Sequence, residues 1–209
     1  MSDRRSDNKN KLLTQLTELI KSKVPHPASE MVMEFASQYY SASSYEGLSE
    51  RKIDSIYGAT LACWELIQTF DGKQPQVRVY NPDLEQHGWH ANHTVIEIHN
   101  ADMPFLVDSV RMELNRRELA IHSIHNTVLQ VERDGEQLTG LVAADAKNKG
   151  GQAESLIYLE IDRHSDADEL KAIRNALKMA YMAAESNMND VIKDALSKTV
   201  IHEPAKDLS

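Results

Sequence analysis

Apolar residues recur every three or four positions before Asp71-Gly72, and from Gln76 stretches of period 2 appear between further helical stripes, so a helical segment precedes a mixed one of strands and helices. Met1 to Asn10 is polar and charged and reads as a disordered tail. Leu12, Leu13, Leu16, Leu19 and Ile20 mark a first helical stripe, stopped at Val24-Pro25-His26-Pro27 because proline lacks a backbone donor and biases its predecessor away from helix. Met31, Val32, Phe35, Ala36 and Tyr39 repeat the stripe. Ser41 to Gly47 has turn composition, and Ser49 is placed to cap a third helix carrying Ile53, Ile56, Tyr57, Thr60, Trp64 and Ile67. The boundaries that follow are a tail at 1–10, a helical subdomain at 11–72, an α+β domain at 76–198 and a frayed end at 199–209.

Val77 and Val79 flank Arg78 in a short strand ended by Asn81-Pro82. After a polar loop from Leu84 to Asn92, Thr94 to His99 alternates, with Ile96 and Ile98 on one face and Val95, Glu97 and His99 on the other. The chain breaks at Asn100-Ala101-Asp102, and Pro104, suited to a first helical turn, sets a helix start near Met103. Met103, Val107, Val110 and Leu114 form its inner stripe. Ile121 to Arg133 is a long strand whose alternation fails near Asn126, a bulge signal, and Asp134-Gly135 turns it into Leu138 to Ala143. Ala146 to Gln152 reads as a flexible loop, and Leu156 to Ile161, apolar on both faces, as a central strand. Ser165 to Asp168 has capping-box form ahead of a helix carrying Leu170, Ile173, Leu177, Ala180, Tyr181 and Ala184, with a kink expected at Ser186-Asn187. The order β-α-β-β-α supplies five of the six elements of a ferredoxin-like βαββαβ unit, an antiparallel sheet with helices on one face. The last strand is missing, and Gln76 to Tyr80 is the one available to take its edge.

Composition narrows the function classes. Lys+Arg 23 against Asp+Glu 32 gives −9, with charges scattered, which disfavours a nucleic-acid partner. The loosely basic run Arg4 to Lys11 reads as a solvated leader. The single cysteine, Cys63, lies beside Trp64 on an apolar helix face and reads as core. No apolar run suits a membrane span and Met1 to Lys11 has no signal-peptide core, so the expectation is a cytoplasmic protein without a membrane partner.

Catalytic chemistry finds little support. His87, His90 and His93 are read as a polar loop rather than a zinc site, and His99, His122 and His125 as solvent-facing sheet positions. Ser109 has no histidine at a useful spacing, and Asp108 and Glu113 fit a solvated helix face. Gly150-Gly151 lacks a third glycine and precedes a strand, so no cofactor is expected in this fragment and no Rossmann site for NAD.

The run Asp102-Met103-Pro104-Phe105-Leu106-Val107-Asp108-Ser109-Val110, with Val79-Tyr80-Asn81-Pro82, Gly88-Trp89 and His93-Thr94-Val95 before it, resembles the N-terminal region of the large bacterial NAD-specific glutamate dehydrogenases, over roughly Tyr57 to Arg163. The resemblance implies an ACT-like fold, a catalytic domain well downstream and NAD in the full-length parent. Two departures stand out. Ala101-Asp102 keeps one acid where the family has a pair, and His125-Asn126-Thr127-Val128 replaces a His-Pro-Val, restoring a strand donor.

The resemblance also implies an effector position, since ACT-like modules commonly bind amino acids where the first strand meets the first helix. Asn100 and Asp102 would receive an amino group, and the free amides between Met103 and Leu106, at a helix start opened by Pro104 and including Phe105, would receive a carboxylate. The other reading is that Asp102 caps the helix and Phe105 fills the core. Three functions compete: a noncatalytic regulatory or assembly module of such a dehydrogenase, a free-standing amino-acid-sensing ACT protein, and a small hydrolase or metal enzyme. The partners expected are the rest of the dehydrogenase chain, a small amino-acid effector and further copies of itself. The second sheet face needs cover, which the helical subdomain from Leu12 to Phe70 could supply within one chain or a second copy could supply from outside; self-association is favoured because the parent family is oligomeric and the missing strand leaves an edge open.

Overall fold

The computed structural model describes residues 2–41, 43, 48–49, 51–142 and 151–199. Three helices, α1 (Ser2–Lys23), α2 (Ala28–Tyr39) and α3 (Ile53–Ile67), precede β1 (Gln76–Tyr80), β2 (Thr94–Ala101), α4 (Leu106–Arg116), β3 (Ile121–Asp134), β4 (Gln137–Val142), β5 (Gln152–Ile161) and α5 (Ala167–Thr199). The strands form one antiparallel sheet in the order β1-β2-β5-β3-β4. β2, β5 and β3 occupy the places of the first, third and second strands of a ferredoxin-like unit. β1, although it precedes them all, pairs antiparallel with β2 from Gln76↔His99 to Tyr80↔Val95 and so takes the edge of the missing last strand.

Alternation along β2 and β5 sends side chains into two separate cores. Ile96, Ile98, Ile157, Leu159 and Ile161 pack against Leu106, Val110 and Leu114 of α4 and Ile173, Leu177 and Tyr181 of α5. Val95, Leu129, Val131, Leu156 and Tyr158 point the other way, onto Leu16, Ile20, Val32, Phe35, Ile56 and Ile67 of the N-terminal helices. The second face of the sheet is therefore buried within the chain, and the uncovered face that argued for a second copy does not exist.

Several expectations are corrected. Ser2 to Asn10 continues α1, because adding residues to a formed helix fixes few dihedrals per hydrogen bond, and Lys9 Nζ donates to Ser41 O at 2.8 Å. α3 begins after extended Lys52, without a Ser49 cap. The register shifts of β3 fall between Ile121 and Ser123 and between Glu132 and Arg133, whereas Asn126 pairs in sequence with Ile157. Asp166, rather than Ser165, caps α5: its carboxylate accepts the amides of Asp168 at 2.8 Å and Glu169 at 2.9 Å. α5 passes through Ser186-Asn187 as helix. Gly135, at φ 59°, makes the β3–β4 turn, as its sequence suggests. Most of the expected linker at Ser41 to Gly47, the loop at Ala146 to Gly150 and the end beyond Thr199 lie outside the described residues.

Candidate functional site

The β2–α4 junction departs most from its sequence reading. β2 runs through Ala101, and the Asp102 amide donates to Ala153 O at 2.9 Å. The helix starts three residues later than Met103, at Leu106, because Phe105 turns left-handed with φ 66° and its carbonyl accepts the Ser109 amide at 2.9 Å. A non-glycine residue there is held at a cost of about 1–2 kcal/mol. Phe105 is 65 % exposed, so it does not fill the core. Leu106 enters the core in its place. Nor does Asp102 cap α4, whose first turn receives no side-chain hydrogen bond.

The six candidate residues thus divide by depth. Asn100 is buried opposite Ser155, Met103 is half-buried, and Asp102, Pro104 and Phe105 face outward around uncapped α4 amides. Across from the junction, burial pushes the Tyr181 phenol up, and the nearby Asp102 charge adds to the shift. The junction offers a helix N-terminus for a carboxylate and one acid for an ammonium group.

The sequence reads His99 as a solvent-facing sheet position and puts Glu97 on the same face of β2, but both are fully buried. Glu97 Oε2 lies 2.7 Å from Arg78 Nε, and its Oε1 accepts from Tyr80 Oη at 3.0 Å and from Cys63 Sγ at 3.7 Å. Arg78 also donates to Ala62 O and to Glu65 at 3.3 Å, fastening β1 to α3. Burial pushes the Glu97 carboxyl up, against the pull of Arg78, and pushes the Cys63 thiol up as well. A thiol so placed is a core residue rather than a nucleophile.

A second cluster locks the far end of the sheet. His99 Nε2 lies 2.6 Å from Glu154, whose carboxylate accepts from Arg133 at 2.6 and 2.7 Å. Burial disfavours the Glu154 charge, yet Arg133 and His99 outweigh it and hold the carboxyl below its ordinary value. Arg133 reaches on to Ile67 O and Glu136 O, both at 2.9 Å, tying the end of α3 to the hairpin. A third group joins Glu160 to Tyr158 Oη at 2.7 Å, Arg51 at 3.4 Å and His93 at 3.2 Å. In each cluster the charge is consumed by a structural partner. Register carried part of this signal, since Arg78 sits opposite Glu97, but nothing local in the sequence shows that helices cover that face.

The histidines go to different partners. His87 pairs with Asp83 at 3.2 Å and stacks on Tyr80, His122 pairs with Asp162 at 2.6 Å, and His125 packs against Tyr39 and Tyr40. Among the described residues no group of three or more His, Cys, Asp or Glu side chains is placed to hold a metal. Asp108 is exposed on α4, while Glu113 is chelated by Arg116 and Arg117, hydrogen bonds that pull it down to about 2.

One groove was not foreseen. A cavity of about 800 Å³ runs along β1 between α3 and α5, with Tyr57, Leu61, Trp64, Trp89 and Arg174 around Val77 to Tyr80. Trp89 closes one end by lying directly on Gly58, where a Cβ would meet its Cγ at 2.2 Å.

A split β-α-β sheet with α4 and α5 on one face defines the ACT-like class of domain. Residues 35–177 match the family described as "Glutamate dehydrogenase, ACT1 domain", and the chain belongs to that family. It is 48% identical over 180 residues to the NAD-specific glutamate dehydrogenase of Halomonas elongata, covering 86% of this chain and 11% of the relative. To the NAD-specific glutamate dehydrogenase of Pseudomonas aeruginosa it is 42% identical over 174 residues, covering 83% of this chain and 10% of the relative. The chain therefore spans about a tenth of the length of these curated relatives. Among the described residues no helix is long and apolar enough to cross a membrane.

Proposed function

We propose that this chain is a noncatalytic regulatory and assembly domain at the N-terminal end of a large NAD-specific glutamate dehydrogenase. The parent would convert L-glutamate, NAD and water to 2-oxoglutarate, ammonia and NADH in the cytoplasm. The observation that carries the reading is the match of residues 35–177 to the ACT1 family, together with a span of only about a tenth of the relatives. The buried clusters support it, because Glu97, Glu154 and Glu160 are engaged as braces between layers. NAD belongs to the parent's catalytic part in this reading, and the domain's own partners are the rest of the chain and further copies of the whole enzyme.

The β2–α4 junction is the place where a small amino acid would bind, with Asp102 toward the ammonium group and the α4 N-terminus toward the carboxylate. The test is deletion of residues 1–199 from the full-length enzyme. Turnover of glutamate should persist while assembly or the response to added amino acids changes. A folded catalytic part with no turnover would overturn the noncatalytic role. Asp102→Asn in the intact enzyme should weaken any amino-acid response without changing basal turnover.

A further inference from the structure

β1 is the first strand of the sheet and, among the described residues, pairs with β2 alone, so its outer row of backbone N–H and C=O groups has no strand partner, and the groove runs along it. The two sides of that groove have different chemistry. Arg78 is drawn toward α3 by its bond to Ala62 O, whereas Val77 belongs to the core shared with α5, and the cavity touches every residue from Val77 to Tyr80. Its walls are therefore α3 on one side and α5 on the other, with the strand edge as floor. Tyr57, Leu61, Trp64 and Trp89 give the α3 side apolar and aromatic surface, where the Glu65 carboxylate is already paired with Arg78 at 3.3 Å. Arg174 stands exposed on the α5 side with no carboxylate partner among the described residues.

An unpaired strand edge is complementary to one kind of ligand backbone, an extended one at a spacing of about 4.8 Å. We propose that the β1 groove takes an extended segment of the polypeptide that follows this domain in the full-length dehydrogenase, adding a sixth strand to the sheet. The proposal rests on the function proposed above. Residues of α3 and, from α5, Arg174 line the groove beside the edge, which leaves room along β1 for one added strand. The relatives are about eight times as long as this chain, so the covalently linked polypeptide supplies such segments at high effective concentration. The occupant spans about five residues, roughly 16 Å, with apolar side chains toward α3 and a carboxylate toward Arg174.

Hydrogen–deuterium exchange compares the β1 peptide in the 209-residue chain and in the full-length protein. The amides should exchange at least about tenfold more slowly in the full-length protein. Leu61→Arg, which places a charge in the groove without touching the β1–β2 pairing, should restore the fast rate while β3 and β5 peptides keep theirs. Equal rates in the two proteins overturn the proposal. Protection that appears in the 209-residue chain and grows with its concentration also overturns it, in favour of a second copy. Glutamate-dependent NADH formation by the same full-length preparation judges the parent function separately: an active enzyme with unprotected β1 sinks only the groove. A protected β1 in an inactive protein sinks only the dehydrogenase reading, and a reading frame that closes at Ser209 sinks both.

Discussion

Arg133 and Glu154 form a two-pronged ion pair, with Nε and one terminal nitrogen of the guanidinium 2.6 and 2.7 Å from the two carboxylate oxygens, and both side chains are almost wholly buried. The pair connects β5 to the end of α3 through Ile67 O and holds His99 from the other side. Removing one partner would strand the other charge in a low-dielectric site. Arg133→Met should therefore destabilise the chain by about 3–5 kcal/mol, measured as a shift in urea midpoint. Glu154→Gln, which keeps acceptor geometry at one oxygen, should also destabilise. A shift below about 1 kcal/mol for Arg133→Met would show that the cluster is solvated.

Gly58 and Trp89 give a steric prediction. A methyl group at Gly58 would overlap the indole, so Gly58→Ala must displace Trp89 and open one end of the β1 groove. Overpacking of this kind costs about 1–3 kcal/mol. Since Trp64 and Trp89 are the two tryptophans of the chain and both line the groove, their emission should shift to the red. Unchanged emission would contradict the close approach.

Phe105 reverses a reading made from sequence. Pro104 followed by an amphipathic stripe reads as a helix start with a core aromatic, and the structure instead turns Phe105 outward at positive φ. Phe105→Ala should change stability by less than about 0.5 kcal/mol. Phe105→Gly should stabilise by up to about 1 kcal/mol, as the left-handed strain is relieved. A loss of about 3 kcal/mol or more in Phe105→Ala would place the ring in the core after all.

The strands, their order and the role of β1 as the surrogate edge were legible because period-2 alternation and turn residues are local signals. What was not legible depended on tertiary cover. Glu97 and His99 alternate with Ile96 and Ile98 in a pattern that fits a solvated face equally well, and only α3 folding back over β2 makes them buried. The Phe105 turn escaped for a related reason: the preference of Leu106 for the core outweighs the first-turn preference of Pro104. The groove drew no sequence signal because its floor is backbone.

His125 predicts a pH dependence. Burial lowers its imidazole from the ordinary value, with Arg51 and Lys9 opposing proton uptake, although its bond to Tyr39 O at 2.7 Å works the other way. The neutral ring is satisfied, donating from Nε2 to Tyr39 O and accepting from Ser43 Oγ at Nδ1, 3.2 Å away. As pH falls, the unfolded chain takes up this proton first. Its contribution is therefore complete above about pH 6.5 and is lost as pH falls below that toward the folded value. Urea midpoints between about pH 7 and 5 should fall less steeply in His125→Gln than in the parent chain. An identical slope would show that His125 is not the group responsible.

The claim that this ACT1-family domain carries no chemistry of its own is tested most directly by NADH formation. The purified 209-residue chain and the full-length protein are each supplied with L-glutamate and NAD, and NADH absorbance is followed. The full-length protein should produce NADH steadily, and the 209-residue chain none above buffer. Glutamate-dependent NADH production by the 209-residue chain alone would contradict it.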